Sequence, residues 1–304
     1  MNAPLVVEGV SDTARWTAYC RALESERPDA LFCDPFARSL AGERGRTIAE
    51  EMPAAAGMRP GASGFAPVLA VRTAVFDDLI LESIEATRAG AVLNLGAGLD
   101  ARPYRLPLPP SLVWIEADEP AILEAKAVVL AGERPACKVE RVAVDLADDV
   151  ARRSAFDRVA AAHERVVVVS EGLLIYLDEA VVATLARDLR ARAPMQRWVL
   201  ETMSPEMVRR NMRARGKALA NAQWKFAPPD GFDFFRRHGW SLAARRPFFA
   251  EACRLGRVKE LRFNRFVRSL AACSTRFRTW LDDSVVYGIV EPCLETASTH
   301  SRKH

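Results

Sequence analysis

The sequence predicts an α/β fold, a doubly wound and mostly parallel sheet with helices on both faces. From residue 91 onward, short apolar runs alternate with stretches of helical length, a pattern typical of a parallel sheet covered on both sides. The first apolar run is followed by NLGAGLD (94–100), with two glycines and an acid. A glycine turn after a buried strand brings backbone N–H groups against a ligand, so we expect a nucleotide-type cofactor at this edge.

Composition indicates an ordinary globular chain of 304 residues, 50% hydrophobic and 27% charged. Six cysteines are scattered singly without a CxxC pair, so neither a disulfide framework nor a metal site is expected. The N-terminus lacks a signal-peptide pattern and no apolar run reaches the roughly 18 residues of a membrane span, so we expect a cytoplasmic protein without a membrane partner. The net charge of +4 suits an anionic substrate or a nucleic acid but demands neither.

Helices are expected before the sheet. Apolar positions recur at helical spacing from Ser11, a plausible N-cap, and Pro28 and Pro35 divide this region into pieces. A second helix is predicted from Pro67 to Thr87, with Arg72 among its polar residues.

Seven strands are expected after these helices: 91–96, 112–118, 138–144, 165–170, 197–202, 239–246 and 284–292. A basic helical insertion after the fifth strand has the size of a segment that covers an active site, although a solvated surface helix would have the same composition. We therefore expect one domain with four parts: an N-terminal helical cap (1–90), a cofactor-binding core (91–202), a lid or substrate insertion (203–238) and C-terminal strands and helices (239–304).

The strand ends narrow the choice of cofactor. Gly96 and Gly98 allow a tight turn and a close approach to a ligand. A dinucleotide site would place a third glycine at the position of Ala101, and Asp100 would face a pyrophosphate unfavourably, which argues against NAD.

Two further acids follow the next strands. Asp118 ends the second strand, where a carboxylate can accept hydrogen bonds from both ribose hydroxyls of an adenosine. Asp145 follows the third strand, where it or the Leu146 backbone could reach an adenine edge; capping the next helix is an equally good interpretation of Asp145.

Several motifs together carry a family resemblance: SDTARW (11–16), ALESERPDALFCDPFARSLAG (22–42), VRTAVFDD (71–78), NLGAGLDARPYRL (94–106), EADEP (116–120), VDL (144–146) and SEGLLIYL (170–177). In this combination the chain resembles the leucine carboxyl methyltransferase family, a branch of the class I S-adenosyl-L-methionine-dependent methyltransferases. The resemblance extends from about Ser11 to Leu177, with Gly239-Trp240 as a later landmark. It implies a seven-stranded Rossmann-like methyltransferase sheet and S-adenosyl-L-methionine as the cofactor.

The resemblance also implies residue roles. Arg72 would pair with the methionine carboxylate, Gly96 and Gly98 would pass beneath the cofactor, Asp118 would hold the ribose, Asp145 and Leu146 would frame the adenine, and Glu171 would lie near the amino group. Without the resemblance, Arg72 would be interpreted as a surface arginine and Glu171 as a helix cap. The full set of candidate cofactor residues is Arg72, Asn94, Gly96, Ala97, Gly98, Asp100, Glu116, Asp118, Asp145, Leu146, Glu171 and Gly172.

The chemistry expected is transfer of a methyl group to oxygen. A carboxylate acceptor needs no general base, whereas a phenol or alcohol does, and Tyr176, His238 and Tyr104 are then the candidates. A packing role is an alternative for Tyr176 and a surface or packing role for His238.

The expected function is S-adenosyl-L-methionine-dependent O-methylation of a small molecule, at a carboxylate or hydroxyl of a polyketide-like acid, a phenol or another secondary metabolite. Methylation of a protein C-terminus is the alternative within the family. The basic run from Arg209 to Lys217 mildly favours an anionic substrate. Two alternatives outside the methyltransferase family stay open: an NAD-dependent oxidoreductase and a non-catalytic cofactor-binding protein. No nucleic-acid partner is expected, because SEGLLIYL stands where an NPPY-like loop would be. The sequence does not predict an oligomeric state.

Overall fold

The structure is a computed structural model that describes residues 6–55, 65–215, 217–259 and 275–293. The described residues form one sheet of seven strands: β1 (Ala91–Leu95), β2 (Val113–Asp118), β3 (Lys138–Ala143), β4 (Val166–Ser170), β5 (Met195–Met203), β6 (Trp240–Pro247) and β7 (Val285–Pro292). The predicted strands lie within two residues of these bounds. The predicted C-terminal part extends beyond residue 293, outside the described residues.

The strand order is β3-β2-β1-β4-β5-β7-β6. The first five strands in this order pair in parallel, and β7 runs antiparallel to both β5 and β6. The chain therefore starts at the centre of the sheet, builds one half through β3 and then crosses to β4. The order reverses between β1 and β4, and ligands of doubly wound sheets bind beside such a reversal, at the carboxyl ends of the strands.

The described helices are α1 (Val10–Ser25), α2 (Ala37–Ala55), α3 (Ala66–Thr87), α4 (Arg102–Arg105), α5 (Pro120–Val129), α6 (Asp149–Ala162), α7 (Glu179–Arg190), α8 (Pro205–Arg215), α9 (Asp233–Arg236), α10 (Phe248–Arg254) and α11 (Thr275–Ser284), with a 3₁₀ turn at Leu174–Tyr176. None of the helices in the described ranges is both long and apolar enough to cross a bilayer.

Alternation of side chains along the buried strands separates the core into two layers. Leu93 and Leu95 of β1 pack with α6, α7 and α9 on one face, whereas Val92 packs with α3, α10 and α11 on the other. Successive strand residues point to opposite faces, so β1, which is buried along its whole length, contributes to both layers. This rigid double layer fixes the positions of the strand ends.

The first helix begins one residue earlier than the predicted N-cap. α1 starts at Val10 after Gly9, and Ser11 lies inside its first turn without a capping hydrogen bond, so the prediction for Ser11 was wrong. The backbone N–H of Glu8 donates to the Asp12 carboxylate at 2.9 Å instead.

Candidate active site

A cavity of about 630 Å³ lies at the carboxyl ends of β1, β2, β4 and β5, beneath α1. Its volume falls within the range of about 300–1,000 Å³ that is usual for small-molecule sites. Twelve of the fourteen predicted site residues line it: Arg72, Asn94, Gly96, Ala97, Gly98, Asp100, Asp118, Asp145, Leu146, Glu171, Gly172 and Tyr176. The sheet topology thus brings together residues that are far apart in sequence.

The glycine turn after β1 forms one wall of the cavity. Gly96 and Gly98 have φ angles of +63° and +46°, in the left-handed region that side chains disfavour. A Cβ on Gly96 would lie only 2.9 Å from Cδ1 of Leu173. The Gly98 N–H donates to Oδ2 of Asp118 at 2.6 Å, which joins the turn to the end of β2.

We expect Gly96→Ala to weaken cofactor binding and to destabilise the fold by at least about 1–2 kcal/mol, the cost of the left-handed conformation for an L-residue. The contact with Leu173 adds to that cost. Gly256→Ala is a matched control, because Gly256 has φ +72° but a Cβ added there would meet no atom within 4 Å. Calorimetric titration with S-adenosylhomocysteine and chemical denaturation would measure both effects. Equal losses in the two variants would show that the turn's contact with Leu173 is unimportant.

Asp118 presents its carboxylate to the cavity at the end of β2. Its Oδ2 accepts from Gly98 N at 2.6 Å and its Oδ1 accepts from Glu119 N at 2.8 Å. Burial raises the pKa of this carboxyl, and the two backbone hydrogen bonds oppose the rise. Each oxygen keeps a further lone pair, so a ligand diol could donate to both.

Asp145 and Leu146 lie at the end of β3. The Asp145 Oδ1 accepts from the Ala147 N–H at 2.8 Å, and Leu146 is buried. Capping of the following helix falls to Asp148, whose Oδ1 accepts from Val150 N and Ala151 N. Capping was therefore the wrong alternative for Asp145, which lines the cavity instead.

An ion cluster closes the cavity between α3 and the ends of β4 and β5. Arg72 Nε lies 2.9 Å from Oε1 of Glu171, and Arg72 Nη1 lies 3.6 Å from Oε1 of Glu201. The second Glu171 oxygen lies 2.7 Å from Nη2 of Arg102. The pKa of Glu171 is lowered, because Arg102 and Arg72 outweigh its burial.

Asp100 lines the cavity, but Asn94 and Arg102 occupy its oxygens. Its Oδ2 accepts from Asn94 Nδ2 at 2.9 Å and from Arg102 Nη1 at 3.0 Å, and its Oδ1 accepts from Arg102 N at 2.9 Å. Asp100 therefore holds the turn after β1 in shape.

Arg21, Arg102 and Glu201 are among the side chains that line this site and that the sequence argument missed. Arg21 donates to the Leu99 carbonyl at 2.7 Å and pairs with Asp34 at 2.8 Å, which fixes α1 over the glycine turn. Glu201 follows the same rule that identified Asp118, because it stands at the end of a predicted parallel strand. Applying that rule to the fifth strand would have found it.

Glu116 was predicted wrongly as a cofactor residue. Its carboxylate is fully buried beneath α5, where Oε1 lies 2.6 Å from Lys126 Nζ and Oε2 lies 3.1 Å from Arg141 Nε. Glu116 and Asp118 point to the same face of β2, but Glu116 comes two residues before the strand end, about 6–7 Å back along the strand. That offset places it under a helix rather than at the open edge.

His238 was also predicted wrongly as a site residue, because it does not line the cavity. It precedes β6, which runs parallel to the core strands, so it lies at the amino end of the sheet, opposite the cavity. Its ring packs on Phe234 at 4.9 Å. Its pKa is lowered by partial burial and by the charges of Arg187 and Arg237.

Aromatic side chains also line the cavity. This aromatic wall consists of Trp16, Phe65, Tyr176, Trp224 and Phe226. Its members come from α1, the start of α3, the turn after β4 and the segment after α8. The chain before α1 is joined to that last segment, because Val7 N donates to Ala218 O at 2.8 Å and Asn221 Nδ2 donates to Val7 O at 3.2 Å.

Tyr176 lies in the aromatic wall, and its hydroxyl donates to Thr13 Oγ1 at 3.4 Å. Burial raises the pKa of this phenol above its usual value near 10. A neutral, donating phenol is a poor proton acceptor, so its position favours binding of a substrate over general-base catalysis.

Two solved structures share the fold of this chain. A DUF574 family protein from Streptomyces avermitilis superposes with a TM-score of 0.55 at 13% identity, covering 92% of this chain and 97% of that one. A Thermobifida fusca structure, provisionally described as a methyltransferase, gives 0.55 at 13% identity, covering 84% and 92%. These likenesses confirm the predicted Rossmann-like sheet.

Relatives of higher identity carry the provisional name of S-adenosyl-L-methionine-dependent methyltransferases. One from Streptomyces coelicolor is 38% identical over 77% of this chain and 84% of its own length. Another from Mycolicibacterium paratuberculosis is 32% identical over 78% and 84%. Fold, cavity and relatives together define an S-adenosyl-L-methionine-dependent methyltransferase, which confirms the predicted class of enzyme and its cofactor. The chain belongs to the leucine carboxyl methyltransferase family, whose model matches residues 14–190.

Proposed function

We propose that the protein methylates oxygen on a small molecule, at a carboxylate or a hydroxyl. The aromatic wall carries this proposal. Its members line the same cavity as the cofactor residues, and flat apolar walls with few polar groups suit a small organic acid or phenol.

The residues of the cavity fit S-adenosyl-L-methionine. Asp118 suits the ribose hydroxyls, and the cluster of Arg72 with Glu171 offers a cation for a carboxylate and an anion for an ammonium group. Asp145 and Leu146 suit an adenine at the end of β3. The turn at Gly96 excludes a side chain, because a Cβ there would lie 2.9 Å from Leu173 Cδ1, and this keeps the backbone of the turn bare.

The work of the protein is positioning and exclusion of water. When bound, S-adenosyl-L-methionine supplies an already activated methyl group. The glycine turn and Asp118 would fix one end of the ligand, and the pair of Arg72 with Glu171 would fix the other. α1 and the segment after α8 then cover the acceptor, which holds the two reacting groups together away from water.

Methylation of a protein C-terminus has less support. The basic residues Arg209, Arg210, Arg213 and Lys217 are exposed and do not line the cavity. They are best explained as a solvated face, so they give no argument for capture of a terminal carboxylate.

The test is incubation with methyl-labelled S-adenosyl-L-methionine and a panel of acids and phenols, with a C-terminal peptide included. Labelled methyl esters release methanol in base, whereas aryl ethers do not, so base treatment identifies the acceptor group. Labelling of the peptide alone would refute the small-molecule proposal. Tight binding of NADH in place of the methyl donor would refute the cofactor assignment.

A further inference from the structure

Glu201 is an acid that lines the cavity, and only one of its two carboxylate oxygens is held by described residues. It lies near the end of β5, its side chain is 18% exposed, and it lines the cavity close enough to Glu171 and to Tyr176 for its charge to act on both. Its Oε1 accepts from the Gly172 N–H at 2.8 Å and lies 3.6 Å from Arg72 Nη1. Its Oε2 accepts no hydrogen bond from the part of the chain that the structure describes. One oxygen therefore fixes the carboxylate while the other stays available.

The neighbouring acids have their oxygens engaged. Glu171 is held by Arg72 and Arg102, one on each oxygen. Asp100 accepts from Asn94 and Arg102. Arg102 lowers the pKa of both Glu171 and Asp100, so their carboxylates are weaker proton acceptors than that of Glu201.

Other cavity acids lie too far across the sheet. Asp145 follows β3, four strands from β5 in the order β3-β2-β1-β4-β5. Adjacent strands are about 4.8 Å apart, so the two strand ends are separated by roughly 19 Å. Asp118 ends β2 and Glu119 follows it, on the same distant side. These acids belong to the end of the cavity where we place the nucleoside.

Among the described residues beside the aromatic wall, neither a histidine nor the tyrosine provides a good proton acceptor. His238 lies at the opposite end of the sheet, and no histidine is among the described residues that line the cavity. Tyr176 is a neutral phenol whose hydroxyl donates to Thr13.

We propose that Glu201 is the general base for a hydroxyl acceptor and that the natural acceptor is a phenol or an enol. This inference rests on the proposed O-methyltransferase function and selects one of its two acceptor types. In the reaction, the acceptor O–H bond breaks and its proton goes to Oε2 of Glu201. The oxygen forms the new bond to the methyl carbon, and the electron pair of the broken carbon–sulfur bond stays on sulfur.

The acceptor class follows from acidity and shape. A carboxylate is a weak base, so it assists best with a hydroxyl of low pKa, about 10 for a phenol against about 16 for water. The aromatic wall favours a flat conjugated ring, which is also what makes such a hydroxyl acidic. An aliphatic alcohol would meet neither condition.

The environment of Glu201 sets the direction of its pH dependence. The charged and titratable groups that face it are Arg72 from α3, Glu171 and Tyr176 from the segment after β4, and Tyr287 from β7. Burial raises the pKa of Glu201 above its usual 4.5, Arg72 opposes the rise and Glu171 adds to it. The base is active only when deprotonated, so kcat/KM for phenols should fall as the pH is lowered. The midpoint of that fall should lie above the usual glutamate pKa of 4.5.

The test compares wild type with Glu201→Gln, using phenol and carboxylic acid acceptors of the panel. With phenols we expect a loss of about 10²–10⁴-fold in kcat, the usual contribution of a general base, and loss of the acid limb of the pH profile. Calorimetric affinity for S-adenosylhomocysteine should not change, which also shows that the variant is folded. Glu291→Gln is the matched control, because Glu291 lies at the far end of β7 with a side chain 45% exposed and should retain wild-type rates.

Three results would overturn the inference. Glu201→Gln could retain wild-type rates with phenols, or wild type could show the same acid limb with carboxylic acids as with phenols. Wild type could also yield only base-labile esters, which would leave the O-methyltransferase proposal intact while removing the need for a base. No labelling of any acceptor, despite tight cofactor binding, would overturn the proposed function together with this inference.

Discussion

Replacing Arg102 by Met is expected to lower the free energy of unfolding by about 3–5 kcal/mol, the range for removing one partner of a buried ion pair. The Arg102 side chain is 3% exposed and meets three carboxylates, Asp77 at 2.7 Å, Asp100 at 3.0 Å and Glu171 at 2.7 Å. Met keeps most of the volume but leaves these acids short of a cation. The loss should be visible in urea denaturation at pH 7.

The pH dependence of that loss has a defined sign. Arg102 holds the pKa of Asp100 and of Glu171 below their usual values, although burial alone would raise both. A depressed carboxyl pKa stabilises the fold above the unfolded value and loses that contribution as pH falls. The contribution of these two carboxylates should therefore be present at pH 7 and at pH 5 and be lost only below about pH 4, the ordinary carboxyl pKa, where the stabilities of wild type and Arg102→Met should converge.

A surface arginine provides the control for Arg102. Arg46 pairs with Glu43 and Glu50, but its side chain is 43% exposed. Exposed pairs contribute about 0–1 kcal/mol, so Arg46→Met should change stability little. Similar losses in both variants would contradict the buried network as a determinant of stability.

Replacing Lys126 by Met should have the second largest effect. We expect it to lower the free energy of unfolding by about 3 kcal/mol, the lower end of the range for breaking a buried ion pair. Lys126 Nζ lies 2.6 Å from Glu116 Oε1, and neither side chain is exposed. Arg141 still contacts the second oxygen, which limits the loss. Chemical denaturation would measure it.

A double variant separates the charge from the packing at this pair. Adding Glu116→Gln to Lys126→Met removes the isolated buried charge, so stability should return toward wild type. Glu116→Gln alone should bind S-adenosylhomocysteine as tightly as wild type, because Glu116 does not reach the cavity. Weaker binding in that single variant would restore the original interpretation of Glu116 as a cofactor residue.

Much of the fold could be predicted because its signals are local. The alternation of apolar runs and helical stretches indicated all seven strands, and α3 (Ala66–Thr87) differs from its predicted start at Pro67 by one residue. The glycines and acids at the strand ends were correctly placed at one edge, since parallel strands bring their carboxyl ends together.

The errors concern side chains whose surroundings are set by tertiary packing. Glu116 and Asp118 are only two positions apart along β2. Their environments differ because helix α5 covers Glu116 and leaves Asp118 at the cavity, and local sequence does not reveal this packing. The correct placement of His238 depends on the direction in which β6 runs in the sheet, and local sequence does not reveal that direction. Arg102 was missed because its three acidic partners come from α3, the turn after β1 and the end of β4.

The most direct measurement is the affinity of the Asp118→Ala variant for S-adenosylhomocysteine, determined by calorimetric titration beside wild type. If the carboxyl ends of β1, β2 and β4 hold the adenosyl cofactor, removal of this ligand-bonded acceptor should weaken binding by about 1–3 kcal/mol. An affinity equal to that of wild type would contradict the placement of the cofactor in this cavity.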